Sequence, residues 1–394
     1  MSQNFALGFS LDHNPHTPHV ANQAIYAFFK RLLASVAITF SIIASQSVVA
    51  APQDFNGDRK ADLLFNNTSG EIALWLMNGA ALTSGAGVLA AASGWTVTHT
   101  ADFNGDGKAD LLFVHTDGRV AMWLMNGTTL ISGAGLLNAG SGWRVTHVSD
   151  FNGDGKADLI LRHTDGSIAM WLMSGTTLSS GAGLLPAGSG WSVSHAADFN
   201  GDGKADLLFQ HTDGRVAMWL MNGLTLTTGA GLMNAATGWS PTHTADFNGD
   251  GKSDLLFRHT DGRIAMWLMN GTTFIGGTGV IDAASGWKVT LTGDFNADGK
   301  ADIVFTHADG RVAVWLMNGI AFVGGAGIMD GGSGWAVTHA DDFNGDGKSD
   351  LLFRHTDGRV AVWLMNGISV MSNTVVLGAG DWRPAPARSV WPCQ

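Results

Sequence analysis

The sequence predicts an all-β chain folded as a seven-bladed β-propeller, four antiparallel strands per blade, its ring closed by the C-terminal strand. Three observations predict it. The string Asp-Phe-Asn-Gly begins at Asp54, Asp102, Asp150, Asp198, Asp246 and Asp342, with Asp-Phe-Asn-Ala at Asp294, always 48 residues apart. A fixed period of that length marks one supersecondary unit repeated, not a string of separate domains. Each unit holds four short apolar runs separated by turns, which is the content of a propeller blade. Glycine supplies 54 of 394 residues, about twice its usual ~7% share, and glycine at that density excludes an all-helical chain.

The second unit shows the elements in order. Ala109 to His115 is a short apolar run. Thr116-Asp117-Gly118 follows, and Asp-Gly is a strong hairpin signal. Val120 to Met125 is apolar on both faces, as a strand buried between two layers is. Asn126-Gly127 makes the next tight turn, and Thr128 to Leu137 is a glycine-interrupted strand suited to an outer edge. Trp143 to His147 then feeds the next Asp-Phe-Asn-Gly loop. A linear solenoid needs polar capping repeats at its ends, yet units one and seven resemble the middle ones. Unit one also lacks a leading Trp strand. The segment from Gly380 through Trp382 supplies one, with Pro384 in the slot of Val97 and Pro241, so it is expected to complete blade one.

The first fifty residues differ in kind. Lys30 and Arg31 precede an apolar run from Leu32 to Ala44, and small residues Val48 and Ala50 follow. That layout is a secretory signal. Residues 1–50 are therefore expected to be removed, leaving 51–394 as the propeller, secreted to the cell exterior or surface or held in the periplasm. The apolar run is too short for a comfortable membrane span, so no span is expected after cleavage. Cys393 is the single cysteine, which excludes an internal disulfide framework and Cys-based metal sites. The net charge of −11 argues against nucleic acid as a partner. A monomer is expected.

The chemistry concentrates in the nine residues D-x-N-x-D-G-K-x-D. Side-chain oxygens fall at positions one, three, five and nine, with a backbone carbonyl at seven, which is how a short loop wraps a hard cation. The candidate ligands are Asp54, Asn56, Asp58 and Asp62 in unit one, and Asp102, Asn104, Asp106 and Asp110 in unit two. Asp150, Asn152, Asp154 and Asp158 follow, then Asp198, Asn200, Asp202 and Asp206, then Asp246, Asn248, Asp250 and Asp254. The last two sets are Asp294, Asn296, Asp298 and Asp302, and Asp342, Asn344, Asp346 and Asp350. Oxygen donors without His or Cys select Ca²⁺ over transition metals, and up to seven ions are expected. The alternative is a set of Asx turns needing no metal. Packed and uncompensated, each Asp triad repels itself, so the metal-free ring is expected to be less stable. Position twelve is Phe113, so the loop is not an EF-hand. Arg59 replaces the glycine at position six in unit one, and Ala297 the glycine at position four in unit six.

The loop, the 48-residue period and the xVAxWLMNG strand resemble the FG-GAP/VCBS repeat family, from Asp54 to about Ser389. The resemblance implies a seven-bladed propeller with Ca²⁺ in its loops, as in integrin α-subunits. Related propellers also serve as sugar-binding lectins and as accessory modules of secreted enzymes.

The remaining chemistry is repeated as well. Histidines occupy two slots: His99, His147, His195, His243 and His339 before the loop, and His115, His163, His211, His259, His307 and His355 before the Asp-Gly turn. One active site needs different residues converging, not one residue spread around a ring, so these histidines are read as structural and no catalytic residue is assigned. Trp123 and its equivalents are read as blade packing. Trp143 and its equivalents are read as core, or as platforms for a sugar ring. His115, Asp117 and Arg119 cluster at one hairpin, and with Trp143 they form the candidate ligand-binding set, repeated for multivalent contact. The expected role is a non-enzymatic binding or adhesion module for extracellular glycan or a surface protein. The alternatives are an enzyme acting on polysaccharide, with Glu71 the sole glutamate, and a structural part of a surface assembly.

Overall fold

The computed structural model describes residues 53–385. The expected signal segment, 1–50, and Cys393 lie outside the described residues. Twenty-eight strands form seven four-stranded antiparallel sheets. In blade one, β1 (Leu63–Asn66), β2 (Ile72–Asn78) and β3 (Ala81–Leu89) stand beside a short C-terminal strand, Arg383–Pro384. Blade two holds β4 (Trp95–Ala101), β5 (Asp110–His115), β6 (Val120–Asn126) and β7 (Thr129–Leu137). Blades three to seven repeat that order over Trp143–Leu185, Trp191–Met233, Trp239–Ile281, Trp287–Met329 and Trp335–Leu377.

The ring closes as the sequence expects. Pro384 pairs with Phe65 as Val97 pairs with Phe113 and Pro241 with Phe257. A proline is tolerated there because its missing N–H faces away from the ladder. The Ala385 N–H then donates to the Leu64 carbonyl at 2.7 Å.

Strand alternation builds the core. On β5, Leu111 and Phe113 pack with Leu64 and Leu74 of blade one, whereas Leu112 packs with Leu159 and Leu161 of blade three. Successive residues thus point to opposite neighbours. A strand covered on both faces must be apolar throughout, which explains the unbroken Leu-Leu-Phe run. Seven such interblade clusters circle the ring, the last joining Leu63, Phe65 and Met77 to Leu352, Val360 and Val362 of blade seven. At about 1.5–3 kcal/mol for each large side chain fully buried, blade-to-blade packing is the main stabilising force. The outer strands are exposed. On β7 a Cβ added at Gly133 would lie 2.7 Å from Cδ1 of Trp123, so the indole requires glycine beneath it. Trp123 also meets Phe113 with ring centroids 4.9 Å apart, as blade packing.

The Trp-led strands lie innermost and are latched by histidine. A β-bulge between Val97 and His99 sets Thr98 beside the imidazole, with Oγ1 3.0 Å from Nδ1. In the equivalent places, Nε2 of His147 donates to the Ser194 carbonyl at 3.2 Å, and Nε2 of His243 to the Thr290 carbonyl at 3.3 Å. His339 Nε2 reaches the Ala385 carbonyl at 2.8 Å, so the same latch holds the closing strand. These contacts bear out the structural reading of the first histidine slot. Burial pushes His99, His147, His195 and His339 down to about 4. A buried imidazole held neutral stabilises the fold fully above its unfolded value near 6.5, and that stability is lost as pH falls from there through about 4. His195 is turned toward the Thr242 carbonyl in the same way but outside good hydrogen-bond geometry, so its latch is the weakest, and blade six carries Leu291 in this slot. His195→Leu is therefore expected to be neutral or stabilising at pH 7. Between pH 6 and 4.5 it should lose less stability than the parent, by up to about 1.4 kcal/mol per pH unit. Denaturant melts of the two proteins across that range check it.

Candidate functional site

In blades two to seven the nine-residue loop joins the innermost strand to the next strand of the blade, and in blade one it leads directly into β1. In blade two, Asp102 Oδ1 accepts the N–H groups of Asn104, Gly105 and Asp106 at 3.2, 2.6 and 3.2 Å, and Oδ2 accepts that of Gly107 at 2.7 Å. Asn104 Oδ1 accepts the Asp106 N–H at 2.8 Å, and Asp106 Oδ1 the Lys108 N–H at 3.0 Å. These are nested Asx turns, each side chain fixing the backbone two to five residues on. Five of these six bonds recur in blade four on Asp198, Asn200 and Asp202.

Asp110, at position nine, closes the loop from below. It is fully buried; Oδ1 accepts the Met125 N–H at 2.7 Å and Oδ2 the Phe103 N–H at 2.9 Å. Burial chiefly, and then the neighbouring carboxylates of Asp102 and Asp106, push its carboxyl up to about 7. The equivalents Asp158, Asp206, Asp254 and Asp302 are pushed to about 6 by the same causes. A carboxylate oxygen that accepts one N–H keeps a second lone pair, and the donor set is hard oxygen throughout. The chemistry fits a calcium ion. Among the described residues, no three Asp, Glu, His or Cys side chains converge into a cage by themselves. A cation here would also draw on Asn104 and on the Lys108 carbonyl.

The loops staple the ring together, which the loop motif alone did not reveal. The Asp54 carbonyl accepts the Ala109 N–H at 2.6 Å and the Phe55 carbonyl the Gly127 N–H at 2.7 Å, both from the next blade. The last loop closes the circle: the Asp342 and Phe343 carbonyls accept the N–H groups of Ala61 and Gly79. Phe55, Phe103 and their equivalents are fully buried between blades. The signal for this was present, since phenylalanine follows the first Asp in every copy.

Both departures from the motif meet backbone strain. Arg59 has φ +67° and Ala297 φ +60°, the left-handed region that costs a non-glycine residue up to about 1 kcal/mol. Ala297 is as constrained as Arg59, a symmetry the sequence did not size. Arg59→Gly and Ala297→Gly are each expected to stabilise the ring by about 0.5–1 kcal/mol, read from the urea midpoint at unchanged m-value.

The polar hairpins lie beside the other end of β5. His115, Asp117 and Arg119 do converge: Asp117 Oδ1 lies 2.8 Å from His115 Nδ1, and Arg119 Nε donates to Asp117 Oδ2 at 2.9 Å. The tryptophan in this group is Trp95, with its ring 5.0 Å from His115 and the Arg119 guanidinium 5.3 Å above it. Trp143 stands in the same relation to His163 of blade three. The Arg119-type side chains are thus stacked, not merely solvated, in blades two, four, five, six and seven. The Arg119 backbone N–H bond, followed by the His115 and Arg119 side chains, holds Asp117 below the usual carboxylate range. Beside the blade-four cluster, a cleft of about 380 Å³ is lined by Trp191, Arg215, Leu232 and Asn234 among others. In blade one the slots hold Asn67, Ser69 and Glu71, and Asn67 Nδ2 donates to Glu71 at 2.6 Å.

No helix among the described residues is long and apolar enough to cross a membrane. Comparison with curated proteins gives no match. Among solved structures, the C-terminal WD40 domain of Sif2 is similar over 79% of this chain and 80% of its own, at 15% identity and a TM-score of 0.46. BamB from Moraxella catarrhalis is similar over 80% and 88%, at 11% identity and a TM-score of 0.41. Likenesses at that level add nothing to the topology described above. The FG-GAP-like repeat matches residues 54–113, 102–161, 150–209, 198–257 and 246–305. With seven four-stranded blades and an Asp-Phe-Asn loop in each, the chain belongs to the FG-GAP-like repeat family.

Proposed function

We propose that the protein is a secreted, calcium-stabilised binding module that engages extracellular glycan or a surface protein and performs no catalysis. The observation that carries the calcium reading is the sevenfold loop, with its oxygens at positions one, three, five and nine held in one turn pattern. A Ca²⁺ ion supplies the positive charge that three clustered carboxylates call for. Asp102, Asn104, Asp106 and Asp110 would hold it in blade two, with the Lys108 carbonyl. The loops also bond blade to blade, so metal binding there is expected to strengthen the ring as a whole.

The binding reading rests on repetition of the Trp95, His115, Asp117 and Arg119 type of hairpin, each presenting an aromatic edge, an imidazole and an exposed ion pair. Such groups suit the hydroxyls and apolar faces of sugars, and several weak equivalent contacts add by multivalency. The test is a polysaccharide and glycan array probed with calcium and again with chelator. Calcium-dependent retention on a polysaccharide, reduced tenfold or more by Asp117→Ala and Asp213→Ala together, supports the reading. A folded, calcium-loaded protein that retains none of the glycans contradicts the glycan assignment and leaves a protein ligand.

A further inference from the structure

Blade three breaks the pattern of the hairpins at one position. Its aromatic, imidazole and carboxylate are all kept: Trp143 lies 5.0 Å from His163, and His163 Nδ1 lies 2.9 Å from Asp165 Oδ1. Where the other hairpins of this type carry arginine, blade three has Ser167. Five blades show what the group holds. In each, a guanidinium lies 5.3–5.4 Å from the indole centroid and donates Nε–H to the hairpin carboxylate at 2.9 Å. Ser167 donates its backbone N–H to Asp165 Oδ1 at 2.8 Å, as the arginines do, and its short hydroxyl also bonds that carboxylate, but no cation lies over Trp143 among the described residues. His163 is accordingly more open, 28% exposed against 15–18% for the histidines under an arginine.

We propose that the Trp143 face and the Asp165 carboxylate form a receptor for an external guanidinium, that of an arginine side chain on a partner protein. The warrant is internal: the same two groups hold a guanidinium in five other blades of this chain. A planar guanidinium donates to a carboxylate while lying on an aromatic face, whereas a compact, strongly hydrated ammonium does this poorly. Arg144 and Arg162 pair with each other one residue along the ladder and so face away from Trp143 and His163. Surface cation–π contacts and exposed ion pairs are individually weak. A lone arginine is therefore expected to bind with a dissociation constant on the order of millimolar, and to serve as one selective contact within a larger interface. This inference needs neither the calcium nor the glycan reading.

The test uses protein labelled with 5-fluorotryptophan, its ¹⁹F resonances assigned by single Trp→Phe variants and titrated with N-acetyl-arginine amide at constant ionic strength. The Trp143 resonance should shift saturably in the millimolar range while that of Trp191, already covered by Arg215, stays still. Ser167→Arg, which copies the sequence of the other blades, should abolish the response. Arg215→Ser should transfer it to Trp191. Asp165→Asn should weaken it at least threefold, and N-acetyl-lysine amide should bind at least threefold more weakly. The dispersion of the other ¹⁹F signals reports whether each variant is folded. A Trp143 resonance that does not move, that moves equally in Ser167→Arg, or that responds equally to lysine overturns the proposal.

Discussion

Chelation of calcium is expected to lower the midpoint of thermal unfolding by on the order of 10 °C or more. A site filled at a hundred times its dissociation constant contributes about 2.7 kcal/mol, and the chain repeats the loop seven times. An unfolding entropy of about 2.1 cal/mol/K per residue makes 1 kcal/mol worth about 1.5 °C for a chain of this size, so filling about half of the loops gives a shift of that order. The cause is local. Each loop gathers three carboxylates, and the ninth is already pushed upward by burial and by its two neighbours. Bound calcium would relieve that repulsion within the loops that bond one blade to the next. Melting curves in calcium, magnesium and chelator measure the effect, and magnesium is expected to substitute poorly because it demands a stricter octahedron.

Asp206→Ala is expected to cost about 2–5 kcal/mol with or without calcium. Its carboxylate is fully buried and accepts the Phe199 N–H at 3.0 Å and the Met221 N–H at 2.7 Å. Truncation strands both donors in the core, at about 1–3 kcal/mol each. Asp202→Asn separates this structural role from metal binding. Asp202 is exposed, and its Oδ1 accepts the Lys204 N–H at 3.0 Å, a bond that an asparagine oxygen can keep. In chelator this variant should equal or slightly exceed the parent in stability, because one of the carboxylates repelling Asp206 is gone; in calcium it should bind one ion fewer. Urea unfolding under both conditions, with an ion count, distinguishes the two residues.

The fold was legible because strand, turn and loop chemistry repeat together. The continuous Leu-Leu-Phe run foretold a strand covered on both sides, and the glycine-interrupted run from Thr128 foretold the outer edge. Even the closing strand could be read, since Pro241 shows that the Pro384 slot tolerates proline. Less could be read of the side-chain partners. Arg119 stands four residues from His115, but nothing local says that Trp95, on the neighbouring strand, lies beneath it. Trp143 was grouped with the His115 hairpin, whereas antiparallel pairing gives it to His163. The interblade bonds of the loop are not legible for the same reason. A motif read along the chain names the loop's own donors, and its two carbonyls are answered by residues of the next blade, Ala109 for Asp54 and Gly127 for Phe55. The strain at Ala297 is not legible either, because a backbone angle is not written in a one-letter change.

The measurement that tests the central claim most directly is native mass spectrometry of the purified protein, titrated with calcium after exhaustive chelation. The account predicts stepwise addition of as many as seven Ca²⁺ ions, with the strained Arg59 and Ala297 loops the last to fill, and a rise in thermal midpoint that tracks the ion count. A protein that gains no calcium at millimolar concentration and melts at one temperature throughout would contradict it, leaving the loops as Asx turns that staple the ring without metal.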